Sequence, residues 1–134
     1  MKHLIRRTGA ACLLVGSMLL AAAPAQAATR ATFYYPHITA PKNFTCVQWQ
    51  WMGNYRQGSV WSENLQGKAN QSVRVGDPDQ KNGIMAMPGE QMNFLVTDGN
   101  AFPGQPCTGS RVIGYATVTV PAPDDSMDIT LGSR

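Results

Sequence analysis

Histidine and cysteine are scarce in this chain, with two and three respectively in 134 residues. From residue 28 onward only His37, Cys46 and Cys107 remain. There is no C-x-x-C pair, no H-E-x-x-H helix motif and no G-x-S-x-G nucleophile elbow, so zinc and motif-borne hydrolytic chemistry have no foothold in the sequence. Glutamate is as rare: Glu63 and Glu90 are the two carboxylates that stand apart for general acid–base work. Charge of one sign is missing too. The formal charge of +3 is that of Lys2, Arg6 and Arg7, and residues 28–134 balance. Arg30, Lys42, Arg56, Lys68, Arg74, Lys81 and Arg111 are scattered singly, so no basic stripe exists to hold nucleic acid or anionic lipid. Helical periodicity is absent as well. No segment sustains apolar residues at i, i+3, i+4 and i+7, and glycine and proline interrupt each stretch within three turns.

What is present begins with the N-terminus. A basic head, Met1 to Arg7, precedes an apolar small-residue run from Ala10 to Ala23, and Ala25-Gln26-Ala27 follows Pro24. That is the layout of a cleaved secretory signal peptide, residues 1–27, of bacterial composition. The run is shorter than the ~18–20 apolar residues that cross a bilayer, so the mature chain is expected to have no stable membrane span. Cys12 falls in the leader and lacks the upstream leucine of a lipoprotein site. Arg6-Arg7 without an apolar continuation favours general secretion over the twin-arginine route. Residues 28–134 are then expected to form a single secreted or periplasmic domain. In that oxidising compartment Cys46 and Cys107 read as a disulfide worth roughly 4 kcal/mol by loop-closure reasoning.

The remainder reads as all-β. Thr32–Tyr35, Phe44–Met52, Ser59–Ser62, Ser72–Val75, Ile84–Met87, Met92–Thr97, Val112–Val120 and Met127–Leu131 are β-favouring runs bounded by turn residues. About seven to eight short strands at such spacing predict a small antiparallel β-sandwich or Greek-key barrel. His37, between Pro36 and Ile38, is expected in a loop. Arg30–Pro36 and Tyr115–Pro121 echo one another as Ala-Thr strands ended by proline, which suggests edge or neighbouring strands.

Four groups carry candidate chemistry. Trp49 and Trp51 share one face of the Phe44–Met52 strand, opposite Gln48, Gln50 and Cys46. If that face is open, the two indoles make a stacking platform for sugar rings or a partner protein, joined by Tyr55 and Trp61. Gln48, Gln50, Asn54 and Gln57 would then supply amide hydrogen bonds. If it is closed, both indoles fill the core and the glutamines face water. Asp77-x-Asp79-x-x-Asn82-Gly83 has oxygen-rich spacing, but Lys81 fills a ligand slot, and the pattern suits an ordinary turn. Met85, Met87 and Met92 offer thioethers, which fit core filling better than a copper site. Asp124, Asp125 and Asp128 read as a solvated turn. The sequons at Asn43 and Asn70 read as incidental under a bacterial leader. No cofactor and no metal are expected. The sequence favours a non-catalytic binding module for a cell-envelope carbohydrate or a protein partner, including an enzyme that it inhibits. Its site would centre on Trp49, Trp51, Tyr55, Trp61, Gln48 and Gln50, with loop 98–110 as a second surface. The alternatives are a small hydrolase using Glu63 and Glu90, and a structural subunit of a surface assembly.

Overall fold

The computed structural model describes residues 30–109 and 111–133. The signal peptide expected over residues 1–27 lies outside them. The described residues are all-β, without a helix, and none of their elements is a helix long and apolar enough to cross a membrane. Nine strands form: β1 (Thr32–Tyr34), β2 (His37–Thr39), β3 (Phe44–Trp51), β4 (Val60–Gly67), β5 (Val73–Arg74), β6 (Ile84–Ala86), β7 (Gln91–Thr97), β8 (Val112–Thr119) and β9 (Asp128–Thr130). They make three sheets, ordered β4-β3-β7-β8, β5-β2-β9 and β1-β6.

The four-stranded sheet is antiparallel throughout and sets the face rule for the rest. Partners directly opposite in register point to the same side of a sheet. Val47, Trp49 and Trp51 of β3 face Val96, Phe94 and Met92 of β7, and all six are buried in the hydrophobic core. The other sheets supply Tyr34, Ile38, Ile84, Ala86 and Ile129 to the same core. Phe44 departs from the strict alternation the sequence suggested. A bulge between Phe44 and Cys46 shifts the β3–β4 register, and Phe44 joins the core rather than the glutamine side. Gly67 stands opposite Phe44, and any Cβ there would collide with the phenyl ring.

Two expectations are corrected. His37 lies in β2, not in a loop: its N–H donates to Met127 O at 2.9 Å, and its ring meets Asp128 at 3.6 Å. The β2–β9 pair is parallel, against an all-antiparallel expectation. These strands come from the two ends of the described chain, so no tight turn imposes an antiparallel course on them. Of the two readings of the Ala-Thr echo, edge strands is the one that fits: β1 belongs to the two-stranded β1-β6 sheet and β8 ends the four-stranded sheet beside β7, so the two are not neighbours.

Cys46 and Cys107 form the disulfide, closing a separation of 61 positions. It fastens the 98–109 loop across the outer face of β3 and β4. Four further contacts hold it there. Gln48 Oε1 accepts from Cys107 N–H at 2.9 Å, and Asn64 Oδ1 accepts from Ala101 N–H at 2.9 Å. Ser62 Oγ both donates to Phe102 O and accepts from Phe102 N–H, each at 3.1 Å.

Candidate functional site

Register decides which side chains can meet. Trp61 stands opposite Trp49, and Glu63 opposite Val47, so both point to the core side of the sheet. They sit on β4, an edge strand, where the core is not fully covered. The β1–β6 pair lies across from them. Between the two is a cleft of about 330 Å3. Trp49 and Trp51 of β3, Trp61 and Glu63 of β4, Phe33 of β1 and Met85 of β6 line it, together with Arg56 and Asn82. The size falls within the range of ~300–1,000 Å3 usual for small-ligand sites.

The indoles play different parts. Trp49 and Trp51 are 3% and 5% exposed and belong to the core. They therefore do not form the open two-indole platform. They back the cleft instead. Burial of large aromatics is the main apolar contribution available to a small β fold, and the apolar partners on β7 draw this face inward. Trp51 Nε1–H donates to Met85 O at 2.9 Å, tying β3 to β6 under the cleft. Trp49 Nε1–H is buried without a hydrogen-bond partner among the described residues. Trp61 is 39% exposed and Phe33 40%, so these two present aromatic surface to the solvent.

The β3–β4 connection brings a cation to the site. Arg56 has φ +53°, a left-handed conformation uncommon outside glycine, asparagine and aspartate. The turn lays its guanidinium 5.4 Å from the Trp51 ring centre and 5.3 Å from that of Tyr55, within cation–π range. Tyr55 is partly buried against the core, and its backbone N–H meets both Glu90 carboxylate oxygens at 3.3 Å. Glu63 differs from Glu90. It is half-buried, and neither an ion pair nor a hydrogen bond engages its carboxylate among the described residues. Burial raises its pKa above the ordinary glutamate value.

The remaining predicted residues lie elsewhere. Gln48 and Gln50 share the outer face of the sheet, where they line a separate concavity with Asn93, Leu95, Tyr115 and Thr117. Gln48 already holds the 98–109 loop, and Gln50 Nε2 reaches Gly58 O at 3.4 Å. Glu90 does not line the cleft. The Asp77–Gly83 segment is a turn closed by its own side chains: Asn82 Oδ1 accepts from Asp77 N–H and Asp77 Oδ1 from Asp79 N–H. Among the described residues no cluster of three metal-binding side chains occurs. Sequence reasoning missed Phe33 and Arg56. Alternation offered a signal for Phe33, since its neighbour Tyr34 is core. Nothing in the sequence announces the left-handed turn that folds Arg56 back.

Comparisons of the chain with protein-family models, with curated proteins and with solved structures returned no significant match.

Proposed function

We propose that this protein is an exported, disulfide-closed β-sandwich that binds a cell-envelope carbohydrate in the cleft between β4 and the β1–β6 pair. The observation that carries this reading is the pairing of two exposed aromatic rings, Trp61 and Phe33, with polar groups in one concave site. Sugar rings present apolar C–H faces and polar edges, so they suit aromatic surface flanked by hydrogen-bonding side chains. Arg56, Glu63 and Asn82 supply those groups. The reading is recognition rather than turnover, because glycoside hydrolysis ordinarily uses two carboxylates flanking the scissile bond. Glu63 lines the cleft, whereas Glu90 is engaged by Tyr55 N–H outside its lining.

Titration of the oxidised protein with oligosaccharides, followed by tryptophan fluorescence and calorimetry, tests this. The expected result is a saturable emission change that Trp61→Ala weakens at least ~10-fold, equivalent to about 1.4 kcal/mol. Trp51→Ala is a poor probe, since removing a core indole unfolds as readily as it disarms. Undiminished affinity in Trp61→Ala would place the ligand elsewhere.

A further inference from the structure

Resting on the reading of the cleft as a saccharide site, we propose that the glycan it takes carries a protonated amine, seated against the Glu63 carboxylate beside the rings of Trp61 and Phe33. Three observations converge on this. The first is the environment of Glu63. Its register partner is Val47, a core residue, and it shares its face of β4 with Trp61. The carboxylate is thus held at the rim of the apolar core, half out of water.

The second is its lack of a partner. A partly desolvated carboxylate is unfavourable unless a cation or hydrogen-bond donors meet it. Both ion pairs among the described residues lie elsewhere, His37 with Asp128 and Arg74 with Asp77. The third is the position of Arg56, the other charged residue of the cleft lining. Its guanidinium is placed over Trp51 and Tyr55 and makes no ion pair with Glu63. The counter-charge for Glu63 is therefore left to the ligand.

An ammonium group supplies what the site lacks. It brings a positive charge and three N–H donors to the carboxylate. It is also attracted to the negative faces of the exposed aromatic rings nearby. A neutral hydroxyl brings one donor and no charge. An N-acetylated amine keeps a donor but loses the charge.

Three matched oligosaccharides of equal length separate these cases: glucosamine oligomers, their N-acetylated counterparts, and glucose oligomers. Calorimetric titration at about pH 6, where a sugar amine is protonated, is run on the wild type, Glu63→Gln and Trp61→Ala. The wild type is expected to bind the glucosamine oligomer at least ~10-fold tighter than the other two. Glu63→Gln, its fold verified by thermal melting, should bind all three alike. Trp61→Ala should weaken all of them. Equal binding of the three by the wild type, or a preference that survives Glu63→Gln, would overturn the amine proposal and leave the saccharide reading standing. Binding of none of them by the wild type would remove both.

Discussion

Glu63 and the two tryptophans nearest to it in register show how neighbouring residues on one sheet serve different ends. Burial raises the Glu63 pKa, so the folded state holds its proton more tightly than the unfolded chain does. Its protonated form fits the fold without penalty below the unfolded pKa. As pH rises from there through the folded pKa, stability is lost. Glu63→Gln is therefore expected to melt higher than the wild type at neutral pH, by a degree or two, with the gap closing toward about pH 4. Scanning calorimetry across that range checks it, and a lower melting point at neutral pH would show that the carboxylate has a stabilising partner. Trp49→Ala and Trp61→Ala should also part company. The first empties a core position and should cost about 3–5 kcal/mol in chemical denaturation. The second removes a partly exposed ring and should cost about 1 kcal/mol or less. Here the sequence was only half legible. Alternation correctly put Trp49 and Trp51 on one face, but it is blind to which face is covered. That depends on the other two sheets, whose Tyr34, Ile38, Ile84, Ala86 and Ile129 pack into the core that this face shares with Met92, Phe94 and Val96 of β7.

At the scale of elements, the outer face of β3 and β4 is organised by one loop. Its neck is zipped by Thr97 Oγ1, which donates to Thr108 O at 2.7 Å, and by two bonds between Asn100 and Thr108 at 2.9 Å. Gly99 lies so close to Thr108 that a Cβ would strike its carbonyl backbone. Gly99→Ala must push the neck open and is expected to destabilise by about 1–3 kcal/mol, measurable by urea unfolding. Replacing Cys46 and Cys107 together by alanine should cost about 4 kcal/mol and free the loop, raising hydrogen exchange first at the amides of Ala101 and Phe102 and of the residue at position 107. Unchanged exchange there would mean that Gln48, Ser62 and Asn64 hold the loop without the disulfide. The cysteine pair was readable from the even count left after the leader and the oxidising compartment expected for an exported chain. The glutamine was not: as a side chain on a polar face, Gln48 looked like a ligand contact, and only the return of the loop makes it a structural bond. The far half of β4 escaped notice for a related reason. Glu63-Asn64-Leu65-Gln66 has weak strand propensity, and pairing with β3 holds it extended.

For the molecule as a whole, the three sheets share one apolar interior, and the proposed saccharide site lies at its mouth by the β4 edge. The parallel β2–β9 pair joins the first and last parts of the described chain, with Leu131 N–H continuing the ladder to Thr39 O at 2.8 Å. All-β character was legible from period-two patterns and turn residues, but seven to eight strands were expected where nine form among the described residues, and β2, only three residues long, reads as a loop. The division into three sheets and the parallel pairing were not legible, because local pattern carries no information about partners distant in sequence. The cleft belongs to that non-local class: β1, β3, β4 and β6 each give one or two residues to it. The most direct test is a two-dimensional NMR titration of the 15N-labelled oxidised protein with glucosamine oligomers, following the side-chain N–H signals. The account predicts that the Trp61 indole signal shifts first and furthest, while the Gln48 and Gln50 amides on the outer face stay still. Shifts confined to those amides, or no movement at any indole, would contradict it.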